Sequence, residues 1–462
     1  MSIFLRRISR RLLAAGAIAL SGPLLAQPGQ QEPIKVGILH SLSGTMSISE
    51  TALKDMALMS IEDINAKGGV LGRKLEPVVV DPASNWPLFA EKARQLIAQD
   101  KVAVVFGCWT SVSRKSVLPV FEELNGLLFY PVQYEGEEQS KNVFYTGAAP
   151  NQQAIPAVEY LMSEDGGGAR RFVLLGTDYV YPRTTNKILR AFLHSKGVQD
   201  ADILELYTPF GASDYQTIVA NIRKFAAGGH TAVISTINGD SNVPFYKELG
   251  NQGVKATDVP VMAFSVGEEE LRGVDTQPLV GHLAAWNYFM SLDNPTNAAF
   301  KRQWAEYAKA KHLPGADRPL TNDPMEATWI GMHMWAQAVE KAGSTDTDAV
   351  VAAMAGQSFV APDGFTVTMD EHNHHLHKPV FVGEIRSDGQ FNVVWKTQGP
   401  IQAQPWSPYL KEQGTTAAPA ASAAAATVQP DGARQKGGWG WVLLVVVVVA
   451  VGVFVLRRHK AA

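Results

Sequence analysis

Short apolar runs alternate with longer segments of helical spacing along most of the chain. Ile34 to Leu39 and Leu75 to Val80 are apolar-rich runs that predict β-strands. Between them, residues 48–67 place apolar side chains at helical spacing and stop at a Gly-Gly pair, as helices commonly do. A second helix is predicted over 86–99, with Pro87 in its first turn. Strand, helix, strand and helix in this order predict a parallel sheet.

The same alternation continues through the body of the chain. Further strands are predicted at Val102 to Phe106, Leu127 to Tyr130, Phe172 to Leu175, Ile203 to Leu206, Val233 to Ser235 and Val259 to Ala263. Helices are predicted near 183–196, 215–227 and 243–252. Continuous apolar strands suit sheets that are buried on both faces. The pattern therefore predicts an α/β protein with two doubly wound parallel sheets and a cleft between two lobes.

Two polar loops follow neighbouring strands and carry the first candidate binding residues. Ligands of parallel sheets lie at the carboxyl ends of strands, where these loops would meet. The candidates in the two loops are Trp109, Thr110, Ser111, Tyr130, Gln133 and Tyr134. Neither loop contains a nucleophile–base pair or a phosphate-binding pattern, and no catalytic motif occurs elsewhere. The loops indicate binding rather than catalysis, and we expect no enzyme activity and no cofactor.

The N-terminus has the features of an export signal. Four arginines between Arg6 and Arg11 precede the apolar run Leu12 to Leu20, and small residues follow. We predict a signal peptide over residues 1–26; an ordinary export signal is favoured over a twin-arginine signal. Cys108 is the single cysteine, so an internal disulfide is excluded.

The C-terminus has the features of a membrane anchor. Trp439 to Leu456 is an uninterrupted run of apolar residues and glycine, long enough for a span of about 27 Å. We predict a flexible linker over 411–437, a transmembrane helix over 438–456 and a basic cytoplasmic end over 457–462. Gly437-Gly438, the apolar run and the basic end resemble GlyGly-type sorting signals, which imply a processing protease. A permanent single-span anchor is the alternative.

The remaining body is long enough for two lobes. We assign 33–150 and 285–358 to an N-lobe, and 151–284 and 359–410 to a C-lobe. The formal net charge is −3, and removal of the four signal arginines makes it −7. Acidic and basic residues are mixed and form no basic stripe, so nucleic acid is not an expected partner.

Several motifs together resemble one protein family. Residues 34–44 (IKVGILHSLSG) and 65–73 (NAKGGVLGR) resemble the branched-chain amino-acid-type substrate-binding proteins of ABC transporters. A closer resemblance, to the urea and short-chain amide branch, is carried by 107–111 (GCWTS), 130–134 (YPVQY), 178–183 (DYVYPR), 361–364 (APDG), 373–379 (NHHLHKP) and 406–410 (WSPYL). The resemblance covers residues 33–410. It implies a type I periplasmic binding protein fold, with two lobes joined by a three-segment hinge, that delivers its ligand to ABC permease subunits.

The resemblance also implies a site for a small polar ligand. The two N-lobe loops would form one wall, and Tyr179 and Tyr181 would close over the ligand from the C-lobe. Asn238 and Ser265, at the ends of later C-lobe strands, are further candidates. Urea offers one carbonyl oxygen and four N–H groups, and a selective site must pair them because an unpaired buried polar group costs about 1–3 kcal/mol.

Glu268 keeps two ligand classes open. An acid at this place would receive the ammonium group of an amino acid, or would accept amide N–H groups of urea. An amino-acid-binding transport protein is therefore the first alternative, and an amide-sensing receptor without catalysis is the second.

The histidine-rich stretch 372–377 could hold zinc or copper, but it matches the family pattern. We interpret these side chains as loop histidines and expect no metal.

Overall fold

The computed structural model describes residues 32–411. The predicted signal peptide, the transmembrane helix, the basic end and nearly all of the linker lie outside this range. Within residues 32–411, no helix combines the length and the apolar character that a membrane span requires.

The first lobe is built on a parallel sheet with the strand order β2-β1-β3-β4-β5. Its strands are β1 (Ile34–Leu39), β2 (Leu75–Val80), β3 (Val104–Gly107), β4 (Leu128–Tyr130) and β5 (Val143–Tyr145). Helices α1 (Ser47–Ala66), α2 (Trp86–Arg94) and α3 (Ser111–Glu123) connect them, and a π-helical turn, Gln95–Gln99, extends α2. Strands β3 to β5 are buried throughout, as expected for a sheet with helices on both faces.

The second lobe contains a seven-stranded sheet with the order β15-β14-β10-β9-β8-β6-β7. Its parallel strands are β6 (Arg171–Thr177), β7 (Ile203–Thr208), β8 (Thr231–Thr236), β9 (Val261–Ala263) and β10 (Leu283–Trp286). The helices of this lobe are α4 (Ala154–Met162), α5 (Val180–Ser195), α6 (Gln216–Ala226), α7 (Asn242–Asn251) and α8 (Glu268–Leu271). The sheet is not parallel throughout as predicted, because the hairpin of β14 (Phe381–Ile385) and β15 (Phe391–Lys396) joins its edge antiparallel to β10.

The chain returns to the first lobe through three helices and a small sheet. The helices are α9 (Pro295–Ala310), α10 (Asp323–Ala342) and α11 (Thr347–Met354). The strands β11 (Ser358–Val360), β12 (Thr366–Met369) and β13 (Leu376–His377) form a separate antiparallel sheet, and a short helix α12 (Pro408–Lys411) ends the described chain.

The third crossing between lobes differs from the predicted boundary at residue 359. Val367, Met369 and Leu376 are fully buried in the same apolar cluster as Trp335 of α10, so residues 358–377 belong to the first lobe. The chain crosses near 378–380, immediately before β14. Ala403 then packs into the first lobe's core again, whereas Tyr409 of α12 packs on α5. The segment 397–411 therefore contacts both lobes rather than the second alone.

Candidate functional site

The carboxyl ends of both parallel sheets face each other across the cleft. Trp109, which follows β3, donates its indole N–H to Asn238 Oδ1, which follows β8, at 3.1 Å. Gln133, which follows β4, donates to Ser265 Oγ at 2.7 Å. Because these bonds join one lobe to the other, the structure represents the lobes in contact around the predicted site.

The backbone after β3 makes a tight turn into α3. Cys108 is fully buried with a φ of 67°, a left-handed conformation that is uncommon for a residue with a side chain. Thr110 is the N-cap, and its Oγ1 accepts the backbone N–H of Ser113 at 3.1 Å. Burial raises the pKa of the Cys108 thiol, which excludes a reactive thiolate at neutral pH. The turn therefore positions Trp109, Thr110 and Ser111 at the cleft.

A buried charge cluster lies behind this turn. The guanidinium of Arg114 is fully buried and contacts Glu135 at 3.2 Å and Glu138 at 2.7 Å. Lys115 approaches the same carboxylates, at 3.6 Å and 2.8 Å respectively. Ser111 donates its hydroxyl to Glu135 and accepts from Arg114. The positive charges of Arg114 and Lys115 thus balance the negative charges of Glu135 and Glu138. Hydrogen bonds to Glu135 and Arg114 hold the Ser111 side chain in place.

Aromatic rings cover this cluster. The Arg114 guanidinium lies 4.7 Å from the ring centre of Tyr130 and 4.5 Å from that of Tyr134. Tyr130 donates its hydroxyl to the carbonyl of Trp109, whereas the Tyr134 hydroxyl contacts the imidazole of His375. Burial raises the pKa of both phenols, so they stay protonated. Tyr130 supports the turn after β3, and Tyr134 belongs to the packed interior of the first lobe.

Tyr179 and Tyr181 form the second lobe's side of the site at the start of α5. Their ring centres lie 6.2 Å apart, and the Tyr179 ring lies 4.8 Å from that of Phe210. Burial raises the pKa of both phenols, and the charge of Glu135 in the opposite lobe raises them further. Both tyrosines therefore keep neutral hydroxyls on the second lobe's side of the cleft.

Two buried polar atoms in this region have no hydrogen-bond partner among the described residues. They are the hydroxyl of Tyr181 and the side-chain carbonyl Oε1 of Gln133. The Tyr181 hydroxyl is near the side chains of Gln133 and Ser265, which offset part of the pKa increase caused by burial, although neither forms a well-aligned hydrogen bond with it. A donor-acceptor pair in this arrangement can hydrogen-bond a small polar molecule.

Glu268 begins α8, a few residues after Ser265, and its Oε2 is buried without a hydrogen-bond partner among the described residues. Its Oε1 accepts the backbone N–H of Met290 at 2.7 Å, and burial, followed by the nearby charges of Glu270 and Glu269, raises its pKa to about 8. Glu270, two residues later, joins the lobes because its Oε1 accepts the hydroxyl of Ser49 of α1 at 2.7 Å. No contact links Glu268 to Tyr181 or Gln133 among the described residues.

The structure thus brings most of the predicted site residues to one cleft. They are Trp109, Thr110, Ser111, Tyr130, Gln133, Tyr179, Tyr181, Asn238 and Ser265. Sequence reasoning missed Arg114 and Glu135. Arg114 follows Ser111 by one helical turn and Glu135 follows the predicted Tyr134, so their positions in the sequence could have suggested them. Their pairing is a tertiary contact, which the sequence alone does not indicate.

The histidine-rich stretch is engaged in packing and local hydrogen bonds. His375 stacks on Tyr145 with ring centres 4.2 Å apart, and His377 contacts Asp370 at 3.0 Å. No group of three or more metal-ligating side chains was found within residues 32–411.

Comparison with known proteins identifies the family. Residues 34–412 match the family model described as a periplasmic binding protein domain, and the chain belongs to that family. The fold and the cleft define a type I periplasmic binding protein, the substrate-binding component of an ABC transporter. Such proteins bind small ligands outside the cytoplasm and have ABC permeases as their typical partners.

Individual relatives are distant. The chain is 22% identical over 407 residues to the Leu/Ile/Val-binding protein homolog 7 of Brucella melitensis biotype 1, covering 83% of this chain and 97% of that protein. A shorter match, 34% over 125 residues, is to a protein named limonene hydroxylase of Geobacillus stearothermophilus and covers 27% of this chain and 21% of that protein.

Among solved structures, a solute binding protein of an ABC transporter from Rhodopseudomonas palustris HaA2, in complex with p-hydroxybenzoic acid, has a TM-score of 0.70 at 20% identity. The match covers 81% of this chain and 99% of that one.

Proposed function

We propose that this protein captures urea or a short-chain amide and delivers it to an ABC importer. The observation that carries the proposal is the charge balance of the site. The cations Arg114 and Lys115 are paired with Glu135 and Glu138, so no excess positive charge is left there for a ligand carboxylate. A carboxylate brought into this cleft would be repelled by Glu135 and would lose its hydration without compensation.

The atoms that remain unpaired match an uncharged amide. Gln133 Oε1 is an acceptor for ligand N–H groups, and the Tyr181 hydroxyl can donate to a carbonyl oxygen. Both oxygens of Glu135 are already paired, one with the Ser111 hydroxyl and the other with Arg114. One free acceptor and one free donor complement the N–H groups and the carbonyl of urea, whereas a carboxylate has no N–H group to offer.

The direct bonds between lobes also favour a small ligand. Trp109 bonds to Asn238 at 3.1 Å and Gln133 bonds to Ser265 at 2.7 Å, so the lobes touch directly at two places among the predicted site residues. We therefore expect a ligand of four heavy atoms to disturb these contacts less than a leucine side chain or a benzoate ring would.

An amino-acid ligand is the second candidate, supported by the name of the relative from Brucella melitensis. The role proposed for Glu268 in that case, ammonium binding, meets an obstacle. Glu268 accepts from Met290, and its pKa of about 8 makes it largely protonated at neutral pH. We retain Glu268 as a candidate ligand contact only for this alternative. An amide sensor would have the same site and differ only in its partner.

Calorimetric titration of ligand-free protein with urea, acetamide, formamide, leucine and p-hydroxybenzoate tests the proposal. We expect urea or an amide to bind, and we expect that neither leucine nor p-hydroxybenzoate binds. Tyr181→Phe should raise Kd roughly tenfold because it removes a donor worth about 1–2 kcal/mol. Tyr246→Phe is the matched control, since its hydroxyl is also buried without a partner but lies in the second lobe's core. Leucine binding without a urea response would overturn the proposal in favour of the amino-acid alternative.

The proposed setting is the periplasmic face of the inner membrane. A signal peptide over 1–26 and a C-terminal span over 438–456 would export and tether the protein, with a GlyGly-type sorting protease as a further proposed partner. Mass spectrometry of the mature protein tests both ends. Loss of residues 1–26 supports export, and a C-terminus near Gly437 or at Ala462 distinguishes processing from a permanent anchor.

A further inference from the structure

A second group of buried charges lies at the hinge, away from the ligand site. Asp323 and Glu326 begin α10, Asp363 lies between β11 and β12, and Lys378 follows β13. Their exposed fractions are 1%, 0%, 3% and 0%. Asp363 and Lys378 belong to the motifs 361–364 and 373–379, to which the ligand site gives no role. We call these four residues the hinge cluster.

The members of the hinge cluster contact one another closely. Lys378 Nζ lies 3.1 Å from Glu326 Oε2 and 3.8 Å from Asp323 Oδ2. The other oxygen of Glu326 accepts the backbone N–H of Asp363 at 3.0 Å. Oδ1 of Asp323 and Oδ2 of Asp363 have no partner among the described residues. The cluster thus holds three carboxyl groups and one ammonium group with incomplete pairing.

The hinge cluster is bonded to the segments that cross between lobes. Asp323 Oδ2 accepts the backbone N–H of Asn287, which lies on the second crossing, at 2.8 Å. The Asn287 side chain donates to the carbonyls of Pro379, on the third crossing, at 2.6 Å and of Gln152, on the first, at 2.9 Å. The hinge cluster is thus bonded to the second crossing through Asp323, and Asn287 connects that crossing to the first and the third.

Full ionisation would leave two uncompensated negative charges in a dry environment, which is costly. Burial accordingly raises the pKa of Asp363 to about 7, and it raises the pKa of Asp323 and Glu326 as well. The carboxylates around Lys378 keep its pKa above the usual value despite burial. A further titratable group near Glu326 is Tyr288, whose pKa is raised by burial and then by the charges of Glu268 and Glu326.

We propose that the hinge cluster couples closure of the lobes to uptake of a proton. Opening moves Lys378 and the Asn287 segment and hydrates the carboxyl groups, which lowers their proton affinity. Closure reverses this change and binds a proton. For a carboxyl whose pKa is higher in the closed state, closure is favoured at low pH, and the advantage is lost as pH rises through that pKa, near 7. The inference rests on the proposed function only for the choice of ligand.

Two measurements test the coupling. Small-angle scattering of the ligand-free protein from pH 6 to pH 8.5 should give a smaller radius of gyration at the acidic end. Calorimetry with urea in two buffers of different ionisation enthalpy should show net proton uptake on binding, and Kd should be about tenfold higher at pH 8.5 than at pH 6. If urea does not bind, the proposed function fails while the scattering result still decides the hinge.

Asp363→Asn should reduce the pH dependence of both the radius of gyration and Kd. Glu268→Gln tests the competing source of pH dependence, because Glu268 is another buried carboxyl of raised pKa, and we expect this variant to keep the pH dependence. Wild-type scattering that is independent of pH, binding without proton uptake, or a pH profile removed by Glu268→Gln and kept by Asp363→Asn would each overturn the proposal. The wild-type measurements decide the matter even if Asp363→Asn does not fold.

Discussion

At the scale of single residues, the site is defined by how its charges are paired. Arg114 is buried within a cage of carboxylates and aromatic rings, and its charge is used within the protein. What remains for a ligand is a set of neutral polar atoms beside Glu135. The arrangement supports the proposal of an uncharged ligand, because the charge of Arg114 is already paired within the protein.

Removal of Arg114 should destabilise the protein strongly. Arg114→Met leaves Glu135 and Glu138 buried without their main partner, and we expect a loss of about 3–5 kcal/mol in the free energy of unfolding. The measurement is equilibrium unfolding in guanidinium chloride, since urea is the proposed ligand. Arg94→Met is the control, because Arg94 pairs with Glu123 on the exposed surface and should leave the midpoint unchanged. Equal effects of the two substitutions would contradict the described role.

Glu138 gives the site an acid-dependent contribution to stability. Burial alone would raise its pKa, but Arg114 and Lys115 lower it from 4.5 to about 2. For an acid with a depressed pKa, the stabilisation is present above the unfolded value and is lost as pH falls towards 2. Wild-type protein should therefore lose of the order of 3 kcal/mol more than Glu138→Gln between pH 4.5 and pH 2, measured by thermal unfolding. The same pH dependence of stability in wild-type protein and in Glu138→Gln would contradict this role of Glu138.

At the scale of elements, the ligand-facing loops are held by neighbouring backbone. The segment after β5 runs along the loop after β4, with Thr146 N–H bonded to the Tyr130 carbonyl at 2.9 Å and Tyr134 N–H bonded to the Ala148 carbonyl at 3.1 Å. Gly147 lies between them, and a Cβ there would meet the backbone of Val132 at 2.1 Å. The close approach requires glycine at this position.

Gly147→Ala should displace the loop that carries Gln133. We expect a loss of about 2–3 kcal/mol in stability and weaker ligand binding, because the obstacle is backbone and cannot rotate away. Thermal unfolding and calorimetry measure the two effects. Gly273→Ala, at a position with no atom within 4 Å of the added Cβ, should change neither. Normal stability of Gly147→Ala would show that the two segments are less tightly packed than described.

Most elements could be predicted from sequence, because strands and helices of a doubly wound sheet carry strong local patterns. Leu75–Val80 has the predicted bounds, and α1 and α7 are displaced by one residue from the predicted 48–67 and 243–252. The lobe to which residues 358–377 belong could not be predicted, because three short strands with few apolar positions do not indicate which hydrophobic core they cover. The pairing of Arg114 with Glu135 depends on the same kind of long-range contact.

At the scale of the whole molecule, the proposed function depends on an equilibrium between open and closed lobes. Bonds formed only on closure contribute to affinity, because a ligand that binds the closed state gains from whatever stabilises that state. The hydrogen bond between Ser49 of the first lobe and Glu270 of the second joins the lobes, and we expect it to form only on closure.

Ser49→Ala should weaken binding without touching the ligand. Loss of a hydrogen bond to a buried carboxyl destabilises the closed state by about 1–2 kcal/mol, equivalent to a five- to thirtyfold rise in Kd. Ser60→Ala is the matched control in the same helix, since its hydroxyl is buried but bonds to the Met56 carbonyl of its own lobe. Calorimetry should separate the two variants, and an unchanged Kd for Ser49→Ala would show that this contact is also present in the open state.

The central claim is that the cleft binds a small neutral amide, and titration of ligand-free protein with ¹⁵N-labelled urea tests it most directly. Proton-nitrogen correlation spectra should show bound urea as new N–H resonances that exchange slowly with water, because the closed lobes exclude solvent and supply acceptors. Tyr181→Phe should weaken this signal and Tyr246→Phe should preserve it. Absence of a bound resonance at saturating urea, together with tight binding of leucine or p-hydroxybenzoate, would contradict the account.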